Sequence, residues 1–152
     1  MKKIVLSVIV FMVFSTMTYS QELSLFENWL LNNTPVEEVK AKAPTGYTFS
    51  EKINKEDGIE YLFVRKVPGN TYKLIVTYGK DGKSVSYVIY EESSEKVWGR
   101  FPNIRDLGYK LTDNQVMGKV EVSVYENQSK KTKIGLILNE NDMILKLNFM
   151  RL

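Results

Sequence analysis

Apolar and polar residues alternate along the stretch from Ile59 to Glu91 more regularly than elsewhere in the chain. Alternation with a period of two is typical of strands that bury one face of an antiparallel sheet. Turn-forming residues divide the stretch twice, at Pro68-Gly69-Asn70 and at Lys80-Asp81-Gly82-Lys83. The pattern therefore predicts a meander of three consecutive strands, which are Ile59–Val67, Thr71–Tyr78 and Ser84–Glu91.

The turn sequences also predict the register of these strands. Counting outward from two-residue turns at Asp81-Gly82 and Gly69-Asn70 places Val76 beside both Tyr87 and Phe63. Both turns put the same side chains on one face, and a slip of one residue would turn every side chain over. The predicted core face of this meander consists of Tyr61, Phe63, Val67, Tyr72, Leu74, Val76, Tyr78, Val85, Tyr87 and Ile89.

A second, weaker copy of the pattern runs from Lys119 to Met150. A two-residue turn at Glu140-Asn141 would pair Leu138 with Met143, and a three-residue loop at Gln128-Ser129-Lys130 would connect the two preceding strands. That loop pairs Val124 with Ile134. The predicted core face of this copy consists of Val120, Val122, Val124, Ile134, Leu136, Leu138, Met143, Leu145, Leu147 and Phe149.

The same short sequence introduces each copy. Gly46-Tyr47 opens a predicted strand Tyr47–Ile53, and Gly108-Tyr109 opens a predicted strand Tyr109–Thr112. A helical segment with one tryptophan, Trp29 or Trp98, precedes each pair. This order of elements predicts an α+β fold of two tandem repeats, each a helix plus an antiparallel four-stranded β-meander, packed as one compact unit. We expect residues 21–92 and 93–152 to form the repeats, each with its own sheet and a buried tryptophan.

Three short helical segments are predicted. Residues Leu23–Leu31 have apolar side chains at helical spacing. Thr34-Pro35-Val36-Glu37 has the form of a capping box with proline at the first helical position, and it predicts a helix to about Lys42. Ser93-Ser94-Glu95 is typical of a helix start. Pro102 should interrupt that helix, so that residues 103–107 form at most a turn.

Residues Met1–Ser20 have the parts of a secretory signal peptide. Lys2-Lys3 precedes the apolar run Ile4–Phe14, and small and polar residues then lead to Ser20. The apolar run is shorter than a membrane span requires. We expect a signal peptide at residues 1–20, export to the periplasm or out of a bacterial cell, and no transmembrane segment in the mature chain. An uncleaved N-terminal anchor is the alternative.

The charge balance argues against a nucleic-acid partner. The chain has 21 Lys and Arg against 18 Asp and Glu, and removal of Lys2 and Lys3 leaves 19 against 18, a net charge of +1. Basic residues form no stripe along any predicted element. Proteins that bind nucleic acid present a clustered basic surface, which this sequence does not predict.

The residue types also limit the possible chemistry. The chain contains no histidine and no cysteine, which excludes Ser-His-Asp and Cys-His nucleophilic sites and the common zinc sites. Glu91, Glu92 and Glu95 cluster between the copies, and a hydrolase with paired carboxylates could use such residues. A solvated connection and a helix start account for the same cluster. We therefore predict a protein that is not an enzyme, with no catalytic residues, no metal and no cofactor.

The layout resembles a known architecture. A helix pair followed by a four-stranded antiparallel meander, given twice in an exported chain of this size, is similar to the β-lactamase-inhibitor-protein-like and PepSY-like exported proteins. The resemblance covers nearly all of the mature chain and is one of layout, because no specific motif is shared. It implies a binding or inhibitory module whose sheet surface receives a partner, and it implies no particular site residue.

Two functional hypotheses follow. The first is an exported module that binds another protein, as an inhibitor, an immunity factor or an envelope-assembly component. The second is a small-molecule or lipid binder with a cavity between sheet and helices. Large aromatic residues such as Phe63 and Phe149 fill the predicted core and favour the first. A carboxylate hydrolase is a third possibility, and it requires one of the three glutamates to lie in a cleft beside a second carboxylate.

The predicted registers leave an apolar row across the first meander, on the face away from the core. The equivalent rows of the second copy are polar, with Ser123, Gly135 and Lys146 in one. Burial of the row against the other repeat or the first helix is the alternative to exposure. An apolar row with charged neighbours is typical of a recognition surface. The predicted partner-binding residues are Leu62, Val64, Lys66, Lys73, Ile75, Val88 and Tyr90.

The signal-peptide prediction is tested by the intact mass of the exported protein. Because small and polar residues precede the expected cleavage site, the mature chain should begin at Gln21. A mass that retains residues 1–20 would contradict this prediction.

Overall fold

The computed structural model describes residues 22–93, 101–141 and 143–152. Within these ranges the chain has an α+β fold, with short helices beside one eight-stranded antiparallel sheet. The helices are α1 (residues 22–32), α2 (Val36–Ala41) and α3 (Phe101–Asp106). The strands are β1 (Thr48–Asn54), β2 (Gly58–Val67), β3 (Asn70–Gly79), β4 (Val85–Ser93), β5 (Lys110–Met117), β6 (Val120–Asn127), β7 (Thr132–Asn139) and β8 (Ile144–Arg151).

The sheet has the strand order β1-β2-β3-β4-β8-β7-β6-β5. Four strands form one meander, four form another, and antiparallel pairing of β4 with β8 joins them, from Tyr87 opposite Met150 to Ser93 opposite Ile144. The prediction of two separate sheets was therefore wrong. Pairing β4 with β8 satisfies the backbone N–H and C=O groups of two strands that would otherwise be sheet edges.

A β-bulge in β4 corrects the predicted register between β3 and β4. Tyr78 lies opposite Val85 as predicted, but Thr77 then lies opposite Tyr87, so Ser86 is an extra residue. An odd shift turns over every later side chain of the strand. Val76 consequently lies beside Val88 and not beside Tyr87.

Between β2 and β3 the predicted register was wrong by two residues. Val67 lies opposite Asn70, so the turn is Pro68-Gly69, where Gly69 has a φ of +79°. Val76 therefore pairs with Tyr61 and not with Phe63. An even shift preserves the faces, so the predicted core residues of these two strands remain on one side.

The second meander contains both kinds of register error. Leu138 lies opposite Leu145 and not Met143, an even shift that keeps the core face but leaves Met143 exposed. Tyr125, not Val124, lies opposite Ile134, an odd shift that turns β6 over. Val120, Val122 and Val124 are thus outside the core, contrary to prediction, whereas the predicted core residues of β7 and β8 are buried: Ile134, Leu136, Leu138, Leu145, Leu147 and Phe149.

Helix α1 agrees with its prediction, because Leu23, Phe26, Trp29 and Leu30 are all buried. The capping box was wrong: α2 begins after Pro35 without a side-chain cap. The helix predicted to stop at Pro102 was also wrong, since α3 continues to Asp106. A proline is tolerated in a first helical turn, where its missing N–H would have no intrahelical partner. Trp98 and the predicted signal peptide lie outside the described residues.

The C-terminal end of α1 is bound to two strands. Nη2 of Arg151 donates to the carbonyl of Leu30 at 2.5 Å and to Oδ1 of Asn33 at 2.6 Å. Oδ1 of Asn33 also accepts from the backbone N–H of Val85 at 3.2 Å. Unpaired carbonyls at a helix end need such donors, and these contacts place α1 across the junction of β4 and β8.

All three described helices contribute to one core on the same face of the sheet, through residues such as Phe26 of α1, Val39 of α2 and Ile104 of α3. We call the opposite side the open face. Among the described helices, none combines the length and the apolar character that a membrane span requires.

Truncation of Phe63 tests the position of this core. Phe63 is fully buried, so Phe63→Ala should lower the free energy of unfolding by about 3–5 kcal/mol. Chemical denaturation measures the change. Val116→Ala is the matched control, because Val116 is exposed on the edge strand β5 and should change stability by less than about 0.5 kcal/mol. A loss below about 1 kcal/mol for Phe63→Ala would contradict the assigned core.

Candidate functional site

The structure divides the predicted partner-binding residues between the two faces of the sheet. Leu62, Val64 and Ile75 are half-buried on the open face, and Lys66 and Lys73 are exposed there. The other two predicted residues were assigned to the wrong face. Val88 is fully buried in the core and Tyr90 is nearly so, because the β4 bulge turns both toward the helices.

The bulge places Ile89 where Val88 was predicted. Leu62 lies opposite Ile75, and Ile75 lies opposite Ile89, so the three side chains form a continuous row across β2, β3 and β4. All three are half-buried, with no described helix over them. We call Leu62, Val64, Ile75 and Ile89 the apolar row.

The open face of the second meander is more apolar than predicted. Val122 lies opposite Ile137, and Val124 lies opposite Gly135. Ser123, which was predicted on this face, is buried on the helix side together with Tyr125. The odd shift of β6 explains both corrections. Polar side chains separate this area from the apolar row along β7 and β8, namely Lys133, Lys146 and Asn148.

Charged side chains border the apolar row unevenly. The carboxylate of Glu60 accepts from the hydroxyl of Tyr87 at 2.9 Å and lies 3.7 Å from Nζ of Lys55. Lys66 and Lys73 are exposed and form no ion pair with any described residue. Glu51, opposite Leu62 on β1, is also exposed and has no ion pair with any described residue, so the unpaired charge is negative at the β1 border and positive beside Val64.

A pocket lies on the helix side, where the small-molecule alternative placed a cavity between sheet and helices, but sequence reasoning did not predict which residues line it. It has a volume of about 620 Å³ and lies between α1, the segment after α2, and strands β2 and β4. Volumes of this size are typical of small-molecule sites. Its polar lining includes Glu22, Lys42, Tyr47, Arg65, Tyr90 and Glu92, and Leu25, Ala43 and Pro44 add apolar surface.

A buried ion pair between Arg65 and Glu92 forms one wall of the pocket. Nη2 of Arg65 donates to Oε1 of Glu92, and the two side chains are 15% and 4% exposed. The guanidinium lies 5.4 Å from the ring centroid of Tyr47 and 5.0 Å from that of Tyr72. Burial lowers the pKa of Arg65, but the charge of Glu92 and its hydrogen bond raise it more, so the guanidinium remains charged.

Tyrosine hydroxyls complete the polar wall. The hydroxyl of Tyr90 lies 3.2 Å from Oε2 of Glu22 and 3.3 Å from Oε2 of Glu92. The Tyr47 hydroxyl donates to the carbonyl of Glu91 at 2.5 Å. Burial, and then the charge of Glu92, raises the pKa of Tyr47, which keeps this hydroxyl protonated. Glu92 thus lies in a cleft with a second carboxylate, Glu22.

A second polar cluster lies at the middle of α1. Oε1 of Glu27 accepts from the Tyr109 hydroxyl at 2.7 Å, and Oε2 accepts from Nζ of Lys130 at 2.7 Å. The Tyr109 hydroxyl also lies 2.8 Å from Oγ1 of Thr132. These groups satisfy one another, so this cluster connects α1 to β7 and the preceding loop.

The described residues include no group of three or more carboxylates that could hold a metal ion. Asp81 was interpreted as a turn residue, and its contacts agree with this. Oδ1 accepts from the backbone N–H of Lys83 at 2.9 Å and of Ser84 at 3.0 Å, and Oδ2 accepts from the Ser84 hydroxyl at 2.6 Å. These hydrogen bonds lower the pKa of Asp81 to about 2.

The chain matches no protein-family model, and no curated protein matches it with significance.

Removal of Arg65 tests the ion pair. Arg65→Met leaves the carboxylate of Glu92 buried without its cation and should lower the free energy of unfolding by about 3–5 kcal/mol. The double variant Arg65→Met, Glu92→Leu should recover most of this loss, because no unpaired charge remains. Denaturation of the wild type and of both variants measures the difference. Equal stability of the wild type and Arg65→Met would show that the pair is solvated.

Proposed function

We propose that this protein is an exported, non-enzymatic module that binds another protein through the open face of its sheet. The apolar row of Leu62, Val64, Ile75 and Ile89 carries the proposal, because it lies on a sheet face that no described helix covers. Apolar surface that is accessible and rimmed by polar groups is typical of recognition sites. The inhibitor, immunity and envelope-assembly classes all fit this mode of binding, in the periplasm or outside the cell.

The charges at the border specify the partner further. Lys66 and Lys73 are exposed at the β2–β3 end of the apolar row and have no ion pair among the described residues. Complementary charge orients a partner and speeds its association. The proposed partner is therefore a folded protein whose contact surface combines apolar side chains with carboxylates that face these two lysines.

The proposal includes an origin by duplication, with repeats at residues 21–92 and 93–152. The strand starts support this duplication, because equivalent strands begin 62 residues apart. The pairs of first residues are Thr48 and Lys110, Gly58 and Val120, and Asn70 and Thr132. Gly46 and Gly108 are separated by the same interval, with φ values of +89° and +85°. The first strand of each meander also has a β-bulge, between Phe49 and Glu51 and between Leu111 and Asp113. Bulges at equivalent positions are typical of related units.

The environment of Glu92 supports the non-enzymatic assignment. Its Oε1 accepts from Arg65 and from the backbone N–H of Ser93 at 2.8 Å, and its Oε2 is near the Tyr90 hydroxyl. A general acid needs a proton that it can transfer, and a nucleophile needs an oxygen that no other group binds. Arg65 and the Ser93 N–H both donate to Oε1 of Glu92, so this carboxylate is positioned to accept hydrogen bonds and not to act as an attacking group.

Substitution of adjacent residues on β4 tests the open face. Ile89→Lys places a charge in the apolar row and should weaken partner binding by about 30-fold or more, with the melting temperature nearly unchanged. Val88→Lys buries an unpaired charge in the core and should unfold the protein. Affinity capture from an envelope extract, followed by binding measurements with the captured protein, gives both results.

Val116→Lys is the control for a new surface charge, because Val116 is exposed on the edge strand β5. A protein captured by the wild type and by Val116→Lys, but not by Ile89→Lys, is the expected outcome. Unchanged capture by Ile89→Lys would refute the proposal, as would recovery of a lipid or a metabolite in place of a protein.

A further inference from the structure

The pocket between α1 and the sheet lies on the opposite side of the sheet from the open face. Its floor is formed by side chains of β2 and β4 that face the helices, whereas the apolar row lies on the other side of these strands. A partner bound at the open face would therefore contact the other side of the sheet. The class of ligand that fits this pocket can be inferred from the residues that line it.

The charges of the lining are balanced. Glu22 and Glu92 contribute two negative charges, and Lys42 and Arg65 contribute two positive charges. Both cations already have partners, since Arg65 is paired with Glu92 and Nζ of Lys42 lies 2.6 Å from Oε1 of Glu38. An anionic ligand would have to displace Glu92 or Glu38 from its cation, or lose its own hydration without compensation. A ligand without net charge displaces no ion pair and loses less hydration on entering the pocket.

Donors and acceptors alternate within the same wall. Arg65 has five N–H donors in its guanidinium, of which one is used by Glu92, while the carboxylates of Glu22 and Glu92 offer acceptors on either side of the Tyr90 hydroxyl. A hydroxyl group donates and accepts at once. Adjacent hydroxyls on one molecule can accept from the arginine and donate to a carboxylate without breaking the ion pair.

Apolar groups occupy the rest of the lining. Leu25, Ala43 and Pro44 lie at the pocket, together with the rings of Tyr47 and Tyr90, whose centroids are 5.6 Å apart. Small-ligand sites commonly combine apolar and aromatic walls with a few placed polar groups. The C–H surface of a saturated ring would pack against such a wall while its hydroxyls face the ion pair.

We propose that this pocket binds a neutral polyhydroxylated molecule, a sugar of monosaccharide or disaccharide size. Arg65, Glu92, Glu22 and Tyr90 bind its hydroxyls, and Tyr47 and Leu25 pack against its carbon skeleton. The pocket volume of about 620 Å³ accommodates a ligand of this class.

Saturation-transfer NMR and calorimetry on the full mature chain test this proposal. The neutral probes are glucose, N-acetylglucosamine, maltose and chitobiose, and the anionic comparator is glucuronate. At least one neutral probe should bind, and the comparator should bind about 10-fold more weakly or not at all. Binding of no neutral probe, or tighter binding of the comparator, would overturn the proposal.

Two variants locate the binding. Tyr90→Phe keeps the buried ring but removes the hydroxyl between the two carboxylates, and it should weaken the neutral probe about 10-fold. Tyr109→Phe makes the same change outside the pocket and should leave affinity unchanged. Thr45→Trp fills the exposed rim and should abolish binding without lowering the melting temperature. Undiminished binding by both Tyr90→Phe and Thr45→Trp would place the ligand elsewhere and refute the assignment.

Discussion

The pairing of β4 with β8 determines how the rest of the protein is arranged. Every other pair among the described strands joins sequence neighbours, so this pairing is what joins the two meanders into one sheet. Helix α1 lies across it, with the ring of Phe26 5.0 Å from Tyr90 on β4 and 5.8 Å from Phe149 on β8. Asn33 and Arg151 connect the end of the helix to the same strands. Helix α1 therefore covers a core that is continuous across both meanders.

The sequence predicted the strands and turns but not their faces. Alternation and turn residues located both meanders, because each signal depends on a few neighbouring residues. The face of β4 was unpredictable, since Tyr87, Val88, Ile89 and Tyr90 are all apolar or aromatic and either assignment buries a suitable pair. Only the bulge at Ser86 decides between them, and a bulge is set by tertiary packing. The valines of β6 were equally ambiguous.

The extra residue Ser86 is also the reason why the lining of the pocket could not be predicted from the sequence. In the predicted register Glu92 points away from the helices, and after the bulge it faces them together with Tyr90. Arg65 occupies a core-facing position of β2 in both registers, so it was the one available signal: a charge in a buried row needs a counter-ion. Its partner lies 27 residues later. No local pattern connects two such positions before the strands are aligned.

The long separation between β4 and β8 also has a kinetic consequence. Val88 and Phe149 are opposite one another in the sheet but far apart in the chain, and closing so long a loop costs entropy before any contact forms. The hairpins are local and should assemble first. Until β8 docks, β4 remains an unprotected edge that can pair with another molecule. The transient species most prone to aggregation is therefore a nearly folded chain in which β4 and β8 have not yet paired.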